Sequence, residues 1–314
     1  MLAELKFVQG AIAKKDFVPY MTHFSILDGE VRSYNGMLTL SSPIPFNINC
    51  NPKADLLIKA INNCTETVAL SISDAGRLKV QSGKFKSFIE CFNEPVPEMK
   101  PEGEISDING TTLINALGKL YKFIGEDASR PWTNGVLLAN GCAHATNNVT
   151  IVQHWLGFTL ETPINIPKIA IREILRIKEI PETIQISDRS ITLHYADKRW
   201  IKTQLLDVSW PDINKILDKD CTPEEINLEI FKGLEVLKPF VDKNGAVYFH
   251  EGIISTSTDL TTSANYEISS EIEGTYNIEM LMLLKDIATK VDWDKSPCLF
   301  FGDGLRGAIV GMRT

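Results

Sequence analysis

The sequence predicts an α+β protein built from three tandem copies of one arrangement: helix, strands, second helix, further strands. Three observations predict it. Stretches with apolar residues at helical spacing alternate with short runs of apolar–polar alternation. Turn signals recur in register: Gly29 precedes Asn35 as Gly141 precedes Asn147 and Gly252 precedes Thr258, and later hairpins turn on Asp74, Asp188 and Asp303. The repeat, about a hundred residues long, has the size of a whole domain and is too long for a solenoid of small modules. The expected domains are 1–105, 106–218 and 219–314.

In the first copy a helix is expected from Leu2 to Lys15, with Leu5, Val8 and Ile12 on its apolar side. Strand-like runs follow at 22–27, 30–34 and 37–41, joined by Asp28-Gly29 and Asn35-Gly36, dipeptides suited to tight hairpins. A helix starting at Pro52 runs to Cys64. Strands at 68–73, 77–82 and 84–92 then lead to a Pro- and Glu-rich linker at 93–105. The second copy restarts with a helix from Thr111 to Ile124, followed by strands at 136–139, 142–146 and 150–161 around a turn at Asn140-Gly141. Its second helix opens with Pro167 at the first helical position, where the missing N–H costs nothing, and ends at Lys178. Lys168, Arg172 and Arg176 form one stripe of that helix, with Ile171, Ile174 and Leu175 opposite. Strands at 183–187 and 190–196 and a linker at 209–225 complete the copy. The third has a helix around Leu228 to Val241 and strands at 246–250, 252–262 and 265–273. A helix from Ile278 to Val291 precedes strands at 298–301 and 307–312.

Hydrophobic residues make up 44% and charged residues 23% of the 314, ordinary values for a globular chain with more than one core. The net charge of −8 argues against a uniformly basic coat for nucleic acid and leaves room for segregated basic faces. Cys50, Cys64, Cys91, Cys142, Cys221 and Cys298 show no CxxC and no framework spacing, which reads as reduced thiols in the cytoplasm. The amino-terminal stretch lacks a long apolar core and a small-residue cleavage site, so no signal peptide is expected, and no run reaches membrane-spanning length.

Nothing in the pattern supplies catalytic chemistry. The five histidines, His23, His144, His154, His194 and His250, lack ligand spacing, and Asp292 and Asp294 flank Trp293 in what reads as a turn. Gly302–Gly307 matches GxGxxG letter for letter. A dinucleotide site needs a helix directly afterwards and an acidic residue about twenty positions on, and the sequence has room for neither, so a hairpin is expected. No metal, cofactor or enzyme activity is expected. What the predicted helices do carry is cations: Lys14, Lys15, Lys53, Lys59, Lys119, Lys122, Lys168, Arg172, Arg176, Lys232 and Lys285. One such face alone reads as ordinary solvation. Recurrence on equivalent helices of an acidic chain points instead to a lining for a polyanion, touching phosphates without reading bases.

Several local runs, in order, carry a resemblance: Asn134-Gly135-Val136-Leu137-Leu138, Ala145-Thr146-Asn147, Ile166-Pro167-Lys168, Trp210-Pro211-Asp212 and the terminal Val310-Gly311-Met312-Arg313-Thr314. Together they make the chain resemble the bacterial DNA polymerase III beta subunit, the sliding clamp, along essentially its full length. There are departures. Val149-Thr150-Ile151 replaces the family's His-Arg-Leu, Gly311 stands for the tail proline, and Thr314 for its leucine. They imply a divergent member and leave a phage origin open.

The resemblance implies three DNA-clamp domains, each with two helices packed on antiparallel sheets, forming half of a ring. Two such protomers would close head to tail around duplex DNA. It also implies a pocket that takes a short linear peptide from polymerase and clamp loader. Carried over by motif, the pocket would use Thr146, Asn148, Val149, Thr150, Ile151, Val310, Met312 and Arg313, with Ile216 and Leu217 from the linker. Near the end of the first copy a strand-like run is basic (Arg77, Lys79, Lys84, Lys86), and its counterpart in the third is acidic (Glu267, Glu271, Glu273). In the resembling family these edges meet, and opposite charges would favour that pairing over self-pairing. The rival readings are a non-ring β-rich interaction or structural protein made by domain duplication, a nucleotide enzyme using Gly302–Gly307, and a trimeric ring of two-domain protomers. The count of three copies disfavours the last.

Overall fold

The computed structural model describes residues 1–312 apart from Asp16 and Pro95. The chain packs as two compact units: Met1–Ile114 with Ile169–Leu205, and Asn115–Lys168 with the chain from Leu206 onward.

The first unit contains a seven-stranded antiparallel sheet in the order Ser25–Leu27, Glu30–Tyr34, Leu38–Pro43, Trp200–Gln204, Ser190–His194, Thr183–Ile186, Glu104–Asp107. Its central seam sets Leu38 opposite Thr203 and Ser41 opposite Trp200, so residues far apart in sequence share one ladder. A three-stranded sheet, Ala69–Ile72, Leu78–Ser82 and Phe85–Ile89, lies in the same unit. Apolar positions at helical spacing bury Leu5 and Val8 on the helix Leu2–Val8, and Leu57, Ile58 and Ile61 on Ala54–Asn62. On Lys168–Ile177 the buried residues are Ala170, Ile171, Glu173 and Ile174, with Arg172 exposed.

The second unit contains an eight-stranded antiparallel sheet in the order Ile164–Pro167, Gly135–Ala139, Cys142–Thr146, Thr150–Trp155, Leu305–Ile309, Cys298–Gly302, Lys290–Asp292, Glu224–Glu225. Its seam pairs Thr150 with Ile309 and His154 with Leu305. A four-stranded sheet runs Asn265–Glu267, Ile253–Ser255, Ala246–His250, Gly274–Asn277. The α-helices wholly inside this unit, among the described residues, are Asn214–Leu217, Glu229–Leu237 and Ile278–Met282, while Gly110–Leu120 enters it from the first unit at Asn115. Strands of the second expected copy therefore divide between the two large sheets: 183–204 in one, together with 104–107 at the expected boundary, and 135–167 in the other.

The expected mixed helix and antiparallel-sheet class holds, and the repeated turns are where the sequence puts them. Asp28-Gly29, Asn140-Gly141 and Glu251-Gly252 each close a two-residue hairpin with both residues at positive φ (52° and 79°, 52° and 74°, 47° and 76°). That is the turn whose twist matches paired strands, and glycine takes its second position without steric cost. Gly302–Gly307 is a hairpin between Cys298–Gly302 and Leu305–Ile309, and no helix follows it among the described residues.

Several boundaries differ from expectation. The first helix stops at Val8 and continues only as a 3-10 turn, Gln9–Ala11, so Lys14 and Lys15 are not helical. Gly10 sits at that break, against the Glu173 carboxylate; an added Cβ would come within 1.6 Å of Glu173 Oε1. Pro52 forms an isolated bridge with Cys91, and Lys53 caps the helix rather than lying in it. Pro167 ends a strand instead of opening a helix. The helix expected to reach Val291 ends after a 3-10 turn at Asp286, because Lys290–Asp292 pairs with Cys298–Gly302. Glu271 and Glu273 lie in the connection after the strand Asn265–Glu267, and Arg77 and Lys84 lie in turns. Glu104–Asp107, which begins inside the expected linker 93–105, and Glu224–Glu225, inside the expected linker 209–225, are fully exposed edge strands. With no buried face they have no alternation to read.

Candidate partner and nucleic-acid surfaces

In the second unit, alternation along four adjacent strands puts Thr146, Ile151, Ala308 and Leu299 in one cross-strand row. Two residues along, His144, Gln153, Arg306 and Phe301 form the next row on the same face. The segment 210–221 closes over it. Ile213 and Leu217 join Ile151, Leu299 and Ala308 in a buried cluster flanked by Trp210, Cys221 and Phe301. The short helix Asn214–Leu217 exists because this apolar face needs a cover, not through length or caps.

The polar row fixes that cover. Arg306 donates from Nε to Gln153 Oε1 at 2.6 Å and from Nη1 to the Leu217 carbonyl at 3.3 Å, and it pairs with Asp218 at 2.8 Å. Holding the amide oxygen turns the Gln153 N–H toward His144 Nε2, 2.8 Å away, so that nitrogen accepts. Burial pushes the His144 pKa down to about 4, and the nearby Arg306 charge acts in the same direction. Trp210, itself edge-on to Trp132 at 5.2 Å, covers the imidazole at 6.4 Å.

The residues that the resemblance assigns to a peptide pocket are partly gathered here. Thr146, Ile151 and Leu217 are buried in or beside the cluster. At the strand ends the Val310 N–H donates to the Val149 carbonyl at 2.9 Å, leaving Val310 48% exposed and Val149 half-buried. Ile216 is 38% exposed on the covering helix, and the half-buried Met312 donates its N–H to the Thr275 carbonyl at 2.7 Å. Thr150 does not join them. Strand alternation sends it to the opposite face, where its hydroxyl is buried without a hydrogen-bond partner among the described residues. Asn148, at φ 72°, accepts from Arg130 Nη1 at 3.0 Å. Arg130 was not singled out from the sequence: a lone arginine in a loop has no periodic signal, and only the fold brings it to Asn148. Arg313 lies outside the described residues.

The expected polyanion lining divides into tied and free cations. In the first unit Lys59 pairs with Asp55 at 3.2 Å, and Arg176 donates to Glu173 at 2.7 Å and to the Phe7 carbonyl at 2.8 Å. Lys53 donates to Thr22 Oγ1 at 2.8 Å, and Lys15 lies 5.7 Å over the Phe17 ring. In the second unit Lys119 donates to the Asp303 carbonyl at 3.0 Å, and Lys122 pairs with Asp286 at 3.2 Å. Lys168 pairs with Glu126 at 3.0 Å, and Lys285 pairs with Glu235. The exposed side chains of Lys14, Arg172 and Lys232 make no hydrogen bond or ion pair among the described residues.

Each unit also presents an unpaired strand edge. Among the described residues Ala69–Ile72 pairs only with Leu78–Ser82, and Ile72 is 45% exposed on it. Lys79 and Lys86 lie on the two strands behind that edge, with Arg77 and Lys84 at their turns. Asn265–Glu267, again among the described residues, pairs only with Ile253–Ser255. Around it stand the exposed Glu267, Glu271 and Glu273, the last accepting from His250 Nδ1 at 2.9 Å and from the Glu251 N–H at 3.1 Å. That carboxylate raises the His250 pKa, chiefly through the hydrogen bond. No group of three or more His, Cys, Asp or Glu side chains among the described residues could hold a metal, and none of their helices is long and apolar enough to cross a membrane.

No protein-family model matches the sequence, and no curated protein matches it either. Solved structures do match, over the full length. A sliding clamp (DNA polymerase III subunit beta) from Pseudomonas aeruginosa, bound to griselimycin, is 16% identical, with a TM-score of 0.83, covering 100% of this chain and 97% of that one. The Helicobacter pylori beta clamp bound to a DNA ligase peptide is 14% identical with a TM-score of 0.83, and the Caulobacter crescentus polymerase III beta is 17% identical with 0.85; both have the same coverage. The fold is therefore that of the bacterial sliding clamps, held with little of their sequence.

Proposed function

We propose that this chain is a sliding clamp: a non-enzymatic processivity factor that encircles duplex DNA and tethers a replicative polymerase, in the cytoplasm of a bacterial or phage-infected cell. The observation that carries the reading is the likeness to bacterial clamps over the whole chain rather than over one domain. In this reading the chain comprises three clamp domains, 1–105, 106–218 and 219–314, and two protomers join head to tail. The basic sheet around Lys79 and Lys86 of one meets the acidic sheet around Glu267 and Glu273 of the other. The unpaired edges Ala69–Ile72 and Asn265–Glu267 would then complete each other's hydrogen bonding.

The eleven basic positions, from Lys14 to Lys285, would line the hole. Most of those charges are already tied to carboxylates or carbonyls, so the sequence-independent pull on phosphates would fall mainly to Lys14, Arg172 and Lys232. That suits a ring that must slide. The exposed and half-buried apolar residues Val149, Ile216, Val310 and Met312, beside Asn148 and Arg130, would take a short linear motif of polymerase or clamp loader.

The mechanism is topological, which sets the test. Once loaded, the protein should stay on nicked circular DNA in high salt and be lost when that DNA is linearised. Equal loss from both substrates would overturn the reading in favour of an interaction protein with a clamp-like fold.

A further inference from the structure

The Pro- and Glu-rich stretch 96–103 lies on one face of the seven-stranded sheet of the first unit and contains none of the residues assigned above to DNA, peptide or self-association. None of its residues is buried, and among the described residues no backbone–backbone hydrogen bond ties it down. Side chains of the sheet hold it instead. Lys202, only 8% exposed, donates from Nζ to the Lys100 carbonyl at 2.6 Å and pairs with Glu102 at 3.0 Å. Arg32 keeps Glu30 through Nε and Nη2 (3.0 and 2.6 Å) and turns Nη1 to Glu98, 3.0 Å away. Gln185 Nε2 donates to the Gly103 carbonyl at 3.0 Å.

Register puts these contacts on one path. Thr39, Lys202, Thr192 and Gln185 form a cross-strand row on one face, and Arg32, Ser41 and Trp200 form the neighbouring row. Between Lys202 and Gln185 lie two strand spacings, about 9–10 Å, which three residues of extended, proline-favoured chain span. The stretch therefore crosses over Thr192, which is wholly buried with its hydroxyl unpartnered among the described residues. Beside it the Arg32 guanidinium stands 6.0 Å from the ring of the buried Trp200. The second unit shows the contrast that matters. There Arg306 also takes a carbonyl and a carboxylate of a crossing segment, but Ile213 and Leu217 sink that segment into an apolar cluster. The stretch 96–103 has no buried anchor, so its hold is chiefly ionic. Lifting it would leave Lys202 a buried ammonium without a partner, which is costly; exchange for another acidic segment is not.

We propose that this face is a binding groove for an acidic, proline-containing extended segment of a partner protein, and that residues 98–103 occupy it as a built-in stand-in. The inference goes beyond the clamp reading and does not depend on it. The stand-in defines the chemistry of the occupant. A partner segment places one carboxylate on Arg32 Nη1 and a second, four residues later, on Lys202 Nζ, while a backbone carbonyl completes the hydrogen bonding of the ammonium. Prolines suit the segment, because an extended chain that uses no backbone N–H loses nothing to them and is ordered in advance. The groove is autoinhibited: a partner must displace a segment tethered beside it at high local concentration.

The test uses the full-length protein and a labelled synthetic peptide copying residues 96–103, read by fluorescence anisotropy. Glu98→Gln with Glu102→Gln releases the native stretch and leaves the groove intact; both side chains are exposed, so the fold is not at stake. The double variant should bind the peptide at least tenfold more tightly than the native chain, and thermolysin should cut it faster before Met99. A peptide with both glutamates replaced by glutamine should bind neither protein, and Lys202→Gln added to the double variant should abolish binding. Equal peptide affinity of the native and double-variant proteins, including none for either, would overturn the proposal, as would equal cleavage before Met99. Those two comparisons decide it even if Lys202→Gln fails to fold.

Discussion

His144 and Gly307 show how little slack the sheet around the second seam has. His144 is held neutral by burial and by the Gln153 N–H, with a pKa near 4 against about 6.5 in an unfolded chain. The folded value is the lower one, so the unfolded state gains a proton first as the pH falls. Stability is intact above about pH 6.5 and is lost progressively toward pH 4, by about 3 kcal/mol at most from this group. Chemical denaturation across that range should reveal the slope, and His144→Gln should flatten it; an unchanged slope would mean that other groups cause it. Gly307 has no room for a side chain. An added Cβ would lie 2.2 Å from Phe300 Cζ and 2.5 Å from the Ile151 carbonyl oxygen. Gly307→Ala should therefore cost roughly 1–3 kcal/mol, read as a lowered urea midpoint. Gly302 and Gly307 thus serve close packing and Gly304 the turn, at φ 65°, which a GxGxxG pattern in the sequence alone does not distinguish from a phosphate loop.

Strands and helices differ in how far their placement could be read. Hairpins such as Asp28-Gly29 and Asn140-Gly141 were legible because the turn chemistry is carried by two adjacent residues. The pairing of Thr150–Trp155 with Leu305–Ile309 was not, because no local pattern records a register between strands so far apart. The same limit applies to charge. Lys122 reads as a free cation until the fold sets Asp286 beside it. The cover Asn214–Leu217 was hidden in a stretch rich in Asp and Lys, where Ile213 and Leu217 are the apolar residues buried in the cluster. Leu217→Ala should cost about 2–5 kcal/mol and raise proteolysis within 210–221 before the rest of the chain is cut. For the two open edges, Lys79→Glu with Lys86→Glu should weaken self-association at low salt by tenfold or more. Adding Glu267→Lys and Glu273→Lys should restore it; sedimentation that finds all three proteins alike would remove these strands from the interface.

Across the chain, a repeat legible as three copies folds into two compact units, because strands of the middle copy are shared between two continuous sheets. Leu38–Pro43 is almost wholly buried, and its outer partner, Trp200–Gln204, arrives only after most of the middle copy has been threaded. The molecule behaves like cloth sewn along a hem rather than like beads on a string. A polypeptide cut after residue 105 would carry a raw, apolar selvedge where Trp200–Gln204 belongs, and should clump on release from the ribosome. Supplying 183–205 in trans should mend it, visible as a return of soluble, monodisperse material.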